Sequence, residues 1–262
     1  MKPIWVLLLV FFPASLLAQT AAQKYLDSRG FAGSTTIFDF KNQKWIYTDQ
    51  QDALIATLPA STFKIPNSLI ALELKAVKNK EQLIQWDGKK RSLESWNRDT
   101  NLEEAFKNST VWFYEEVARR IGKKTYRRIL KEIKYGNGLI TEECVNFWLE
   151  GEFAISPKEQ IEFLIKLYHN SLPFSDSTMN TVKEIMISKQ SDHQIMRDKT
   201  GWVTRNGKEI GWHVGYLETS DNVYFFATRL TKKEHGETNN FLKARKEATN
   251  LLLNSLMGIT KP

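Results

Sequence analysis

The 262-residue chain has a single cysteine, Cys144, and only four histidines. One thiol allows no intrachain disulfide, so stability has to come from a packed core, and Cys144 reads as a small buried apolar residue. His169, His193, His213 and His235 have no paired metal-ligand spacing and no cysteine partners, which argues against zinc. A Gly-x-Ser-x-Gly elbow and a glycine-rich phosphate loop are both missing, which removes the nucleophile elbow and nucleotide chemistry. No repeat, low-complexity tract or linker divides the chain. With 42% hydrophobic and 26% charged residues, it has the composition of one globular unit large enough for two packed layers.

The opening stretch, MKPIWVLLLVFFPASLLAQTAAQ, has one lysine, an apolar run from Ile4 to Leu17, and small residues around Ala18 to Ala22. It reads as a secretory signal peptide over residues 1–22, cleaved after Ala18 or Ala22, with an uncleaved anchor as the alternative. The run is short for a transmembrane span, and no cysteine follows it to carry a lipid. Residues 23–262 are then one exported, periplasmic unit. Without Lys2 its 36 basic and 30 acidic residues leave a net charge of 36 − 30 = +6, which raises the question of polyanions. Arg119, Arg120, Lys123, Lys124, Arg127, Arg128, Lys131 and Lys134 could make a basic stripe for nucleic acid. Only Tyr126 and Tyr135 interleave with it, and export points away from nucleic acid, which favours a solvated helix face.

Segments 35–40 and 44–48 read as a hairpin. A mainly helical middle follows, with an amphipathic helix from Val111 to Ile121 closed by Gly122. A capping box with proline at the first helical position, Ser156-Pro157-Lys158-Glu159, opens a second helix that carries Ile161, Leu164, Ile165 and Tyr168. From about residue 193 the period changes to two, giving three antiparallel strands joined by Asn206-Gly207 and Ser220-Asp221-Asn222. A helix from Asn240 to Met257 ends the chain. The pattern predicts an α+β fold: an antiparallel sheet built from both chain ends, flanked by helices, with an inserted all-helical subdomain. The α/β lobe would comprise roughly 23–60 and 180–262, and the helical lobe 61–179.

Ser61 and Lys64 are three apart, so on a helix they share a face. A lysine whose amine is neutral can take the serine proton, and the apolar flanks Phe63, Ile65, Leu69 and Ile70 would desolvate it. The pair reads either as nucleophile and base or as a capping serine beside a chance lysine, and Pro66 predicts an irregular first turn. Lys199-Thr200-Gly201 opens the first of the three strands. It would suit a substrate carboxylate, with Gly201 letting another molecule's backbone approach closely, unless it is an ordinary surface tripeptide. Ser109-Thr110-Val111 opens a helix, with Ser109 as a possible N-cap that still presents its hydroxyl to a cleft. Tyr135-Gly136-Asn137 looks like a left-handed turn. Trp148 reads as core whose indole N–H needs a partner.

Taken together, Ser61-Thr62-Phe63-Lys64, Ser109-Thr110-Val111, Tyr135-Gly136-Asn137, Trp148 in FWLEG and Lys199-Thr200-Gly201 resemble the class D serine β-lactamases, the oxacillinases, over essentially the whole chain after the leader. Class A fits less well. The literal Ser220-Asp221-Asn222 lies after Lys199-Thr200-Gly201 rather than before it, and the Glu-x-x-Leu-Asn pattern is absent; Glu150 and Glu152 do not match it.

The resemblance implies that Ser61 is the nucleophile and that Lys64, carboxylated by CO2, is the base for acylation and deacylation. Ser109 would carry the proton to the leaving nitrogen. Trp148 would donate to the carbamate in a pocket made apolar by Val111, and the backbone N–H groups of Ser61 and Trp202 would form the oxyanion hole. Arg245, otherwise a surface salt-bridge residue, would bind the substrate carboxylate with Lys199 and Thr200. No metal and no further cofactor is implied. The expected partner is a small-molecule β-lactam, with no nucleic acid and no stable membrane anchor, and either a monomer or a homodimer is compatible. A penicillin-binding protein or a β-lactam sensor domain, acylated without turnover, is the alternative.

Overall fold

The computed structural model describes residues 14–140, 145–232 and 238–259; Cys144, His235 and most of the apolar run Ile4 to Leu17 lie outside them. In chain order the elements are α1 (Ala14–Ser28), β1 (Phe31–Asp39), β2 (Lys44–Tyr47), α2 (Lys64–Glu73), α3 (Leu102–Lys107), α4 (Val111–Ile121), α5 (Lys123–Glu132), α6 (Pro157–Tyr168), α7 (Asp176–Ile185), β3 (Ile187–Gln190), β4 (Gln194–Arg205), β5 (Lys208–Thr219), β6 (Val223–Lys232) and α8 (Thr238–Leu256).

The six strands form one antiparallel sheet in the order β2-β1-β6-β5-β4-β3. β1 runs against β6 from Phe31↔Lys232 to Asp39↔Tyr224, so the first strand is bonded directly to the last. This is the expected α+β sheet built from both ends of the chain. Side chains alternate between its faces. Trp212, Val214 and Tyr216 of β5 and Phe225 of β6 enter the large core shared with the helical segment. Ile37, Leu217 and Phe226 pack instead with Ala22 of α1 and Leu252 and Leu253 of α8. α6 lies against β1, β5 and β6 and also touches α7, so it is the layer that joins the sheet to the helices.

β3 has no counterpart in the sequence reading. Its burial runs from half-buried Ile187 to exposed Ser188, Lys189 and Gln190. It therefore shows no alternation, and its lysine suits an unpaired sheet edge. The capping box at Ser156 forms as expected, with Ser156 N–H donating to Glu159 at 2.8 Å and Glu159 N–H donating to Ser156 Oγ at 3.2 Å. On the basic stripe, Arg119 and Arg120 pair with Glu116, Arg128 pairs with Glu132, and Arg127 donates to the Ile140 carbonyl. Among the described residues no helix is long and apolar enough to cross a membrane.

The core has a hub. The Phe63 ring, fully buried, stacks on Trp148 at 5.4 Å and meets Tyr126, Tyr135, Phe147 and Phe153 at centroid distances of 5.0–6.2 Å. These rings come from α5, the turn after it and the 147–153 segment, so one side chain ties three stretches of chain together. Phe63→Ala is expected to destabilise the protein by about 3–5 kcal/mol in denaturant unfolding, and Phe63→Leu by much less. An unchanged midpoint for the alanine variant would show that the ring cluster does not anchor the fold.

Candidate active site

The chain enters the site through a 3-10 turn, Ala60–Phe63, and becomes α-helical at Lys64. Pro66 lies in the first turn of α2, where its missing N–H has no intrahelical partner to lose. The irregularity expected there is the 3-10 turn itself. Hydrogen bonds fix it from several sides: Ala60 N–H to Trp148 O (3.0 Å), Thr62 Oγ1 to Pro59 O (2.7 Å), and Gln160 Nε2 to Thr62 Oγ1 (2.8 Å). Gln160 in turn accepts from Tyr135 Oη at 3.1 Å, and Trp212 Nε1 of β5 holds the Leu58 carbonyl at 2.8 Å. Ala60 sits at φ +51, a strained left-handed conformation for a residue with a Cβ. A Cβ on Gly201 would lie 3.0–3.2 Å from Pro59 O, Ala60 Cβ and Thr62 Cγ2. The close approach expected at Gly201 is therefore made by the protein's own turn, which the glycine allows to seat against β4.

This seating brings four polar side chains together. Lys64 Nζ is 3.0 Å from Ser61 Oγ, and Lys199 Nζ donates to Ser109 Oγ at 2.6 Å. Both lysines are nearly inaccessible, at 1% and 5% exposure. Burial, reinforced by the neighbouring Lys199 charge, pushes the Lys64 amine well below the ordinary lysine range. Lys199 is pushed down to about 7, mainly by burial and opposed by Asp198. Tyr114, which the sequence did not single out, lies beneath Lys64 with its ring centroid 4.9 Å from Nζ. Ser68 gives its proton to the Lys64 carbonyl, so the 2.9 Å contact between Ser68 Oγ and Tyr114 Oη is one in which the phenol donates. Tyr114 therefore offers Lys64 a neutral aromatic face and no counter-charge.

Ser109 is not the N-cap of α4: Thr110 holds that position, without a side-chain cap, and Ser109 adopts φ +54. Freed from capping, its hydroxyl turns to Lys199. Val111, Thr200, Trp202 and Arg245 line a cleft of about 420 Å³ with Ser61 and Ser109, and Leu93, Leu149 and Leu242 make its walls apolar. Thr204 brings the Thr204 to Ile210 hairpin to the same cleft. Tyr135, Gly136 and Asn137 stay outside it. They brace the loop carrying Trp148 and Phe153: Asn137 N–H binds Ala154 O at 2.9 Å, and its side-chain amide binds Glu152 O at 2.8 Å.

Two buried donors in this region have no acceptor. Trp148 Nε1 has none, although the indole is fully buried. Arg245 Nη1 donates to the Gly201 carbonyl, but its Nε has no partner. Burial holds the Arg245 guanidinium down to about 10, still cationic at neutral pH. Buried unpaired N–H groups are costly, on the order of 1–3 kcal/mol each, so an unpaired indole and a half-paired guanidinium fit a site completed by two anions.

Comparison with known proteins agrees over nearly the whole chain. The penicillin binding protein transpeptidase domain family matches residues 20–254. β-Lactamase OXA-48 of Klebsiella pneumoniae is 41% identical over 231 residues, covering 84% of this chain and 87% of that protein. The class D β-lactamase of Sebaldella termitidis superposes with a TM-score of 0.87 at 43% identity, over 92% of this chain and 97% of that one. The class D β-lactamase YbXI of Nostoc superposes at 0.85 with 42% identity, over 90% and 98%.

The environment of Lys64 gives a direct test. In CO2-free buffer its Nζ, followed by side-chain NMR, should titrate far below the usual lysine value of about 10.4. A midpoint in the ordinary range would mean a wet or counter-charged pocket.

Proposed function

The chain belongs to the class D β-lactamases, and from that premise we propose that it opens β-lactams by an acyl-enzyme on Ser61. On this reading Lys64, N-carboxylated by CO2, is the base for acylation and deacylation, and the exported enzyme acts in the periplasm to protect the cell from the drug. The observation that carries the proposal is the buried Lys64 amine 3.0 Å from Ser61 Oγ, which burial pushes well below the ordinary lysine range. Only an uncharged amine attacks CO2, and the apolar pocket suppresses the charged form.

The residues present fit a carboxylated Lys64. The free indole N–H of Trp148 is a donor without an acceptor, and Val111 helps keep the surroundings apolar. When present, that carboxylate supplies an anionic general base at Ser61. Ser61 Oγ attacks the lactam carbonyl from the N-terminal end of α2, and the backbone N–H groups of Ser61 and Trp202 receive the developing oxyanion. The 2.6 Å contact to Lys199 holds the Ser109 hydroxyl ready to pass a proton to the departing nitrogen. Lys199, Thr200 and the unpaired Nε of Arg245 bind the substrate carboxylate. The apolar cleft walls suit drugs with hydrophobic side chains.

Two expected outcomes test this. A chromogenic cephalosporin should be hydrolysed over many turnovers, with added bicarbonate raising the rate; a burst equal to the enzyme concentration and nothing more would instead mean a penicillin-binding or sensor protein. Lys64→Ala should acylate slowly and hydrolyse almost nothing, and wild-type-like turnover in that variant would remove Lys64 from the mechanism. The pH dependence has a definite sign. Acid converts the Lys64 amine to ammonium, which cannot take up CO2, so activity should fall as the pH drops and recover with bicarbonate when it is restored.

A further inference from the structure

One large aromatic side chain lies open at the cleft. The exposed bulky apolar residues among the described ones are leucines and isoleucines, except for Trp202, which is 49% exposed. Every other described tryptophan is buried or half-buried. Trp202 follows Gly201 in β4 and lines the cleft together with Leu242 and Arg245 of α8. The β-lactam reading uses its backbone N–H and leaves the indole without a role.

That indole is tethered. Its Nε1–H donates to Glu209 Oε2 at 3.0 Å. Glu209 stands on β5 opposite Thr204, the residue two along from Trp202, so the two side chains share a face of the sheet and meet diagonally across the ladder. The carboxylate is held in turn: its Oε1 lies 3.7 Å from Lys232 Nζ of β6, and its side chain is about a fifth exposed. Directly opposite Trp202 stands Gly211, where an added Cβ would come 3.1–3.2 Å from the Phe241 ring and 3.8 Å from Arg245 Cδ. The ladder thus leaves the space beside the indole to α8, and Arg245 donates to the carbonyl of Gly201, the residue before Trp202. A hydrogen bond to a carboxylate fixes the exposed ring before any ligand arrives, which lowers the ordering cost of binding against it.

We propose that Glu209 is a positioning residue that sets specificity: its carboxylate fixes the Trp202 indole as a platform beside Arg245, and the platform receives a planar apolar substituent carried next to the substrate carboxylate. The proposal rests on the β-lactam reading of the cleft and deepens it by naming the part of the substrate that is selected. With the substrate carboxylate on Arg245, the neighbouring substituent, which in a cephalosporin is the group on C3, lies toward Trp202 and Leu242. Offset stacking on a fixed indole favours a flat aromatic group there over a small aliphatic one.

The test uses two cephalosporins with the same acyl side chain, one with an aromatic ring on C3 and one with a methyl group, and reads the ratio of their kcat/KM values. The wild-type chain should prefer the aromatic one, and Glu209→Ala should lower that ratio by about three- to tenfold, the effect of releasing one ordered side chain. Glu209→Gln keeps an acceptor oxygen for the indole N–H and should retain most of the preference. An equal loss for both substrates in Glu209→Ala would overturn the proposal, since a cross-strand pair that only stabilises the sheet predicts that result. A fall in Glu209→Gln as large as in Glu209→Ala would overturn it too. Trp202→Leu, which keeps the backbone N–H, should lower the same ratio, and an unchanged ratio there would overturn the proposal even if Glu209→Ala does not fold. Binding separates this proposal from the hydrolase reading. In a Ser61→Ala chain, which cannot be acylated at that serine, calorimetry should show the same preference for the aromatic cephalosporin and its loss on adding Glu209→Ala. That result in a protein whose wild-type chain hydrolyses no β-lactam would support the role of Glu209 while refuting the hydrolase reading.

Discussion

The site depends on the cost of burying a charged amine. Lys64 Nζ is placed where an ammonium ion would have an aromatic face, a second lysine and no carboxylate within bonding distance. A lone buried ion is so costly that the group gives up its proton instead. The depressed amine, the indole N–H left without an acceptor at Trp148 and the neutral phenol at Tyr114 then have a common explanation. The pocket disfavours a cation and has a donor ready for an anion. The same pocket would be a poor place for an ordinary structural lysine, which is why the nitrogen reads as chemically active and not as packing.

Keeping water from Lys64 requires the turn before it to be rigid, and that rigidity comes from distant parts of the fold. Phe63 points down into rings from α5 and the 147–153 segment, while Gln160 of α6 holds the Thr62 hydroxyl and Trp212 of β5 holds the Leu58 carbonyl, on either side of Ser61. Sheet, bridging helix and helical segment therefore converge on four residues. Ala60 and Ser109, both left-handed without being glycine, lie beside or at the two candidate serines. Strain of about 1–3 kcal/mol at such positions persists only where the surroundings over-determine the backbone, and the hydrogen bonds around Ala60 do so.

Much of this was legible in the sequence, for physical reasons. The period-two runs gave β4, β5 and β6 because each is buried on alternating faces, and the Ser156 capping box marked the start of α6 because its donors are local. Ser61 and Lys64 could be paired by spacing alone. Other features depend on contacts that no local pattern encodes. β3 escaped because an exposed edge strand has no alternation. Ser109 looked like an N-cap because serine is a good one, and nothing nearby announced that Thr110 would take the position and leave the hydroxyl to Lys199. Tyr114 meets Lys64 only because α4 crosses α2. The resemblance to class D enzymes filled part of this gap, since motif order constrains which distant residues meet.

The two lysines are handled in different ways, and the contrast explains where the chain places its acids. Lys64 has no carboxylate within bonding distance, and burial pushes its amine well below the ordinary lysine range. Lys199, almost as deeply buried and coupled electrostatically to Lys64, has Asp198 as its immediate neighbour. β-Sheet geometry makes this arrangement possible: adjacent residues on a strand project to opposite faces. Asp198 thus lies on the α8 face of the sheet, beside Lys246, while the Lys199 side chain reaches Ser109 on the other face. On that face it pairs with Lys246 and not with Arg245, whose Nε stays unpaired.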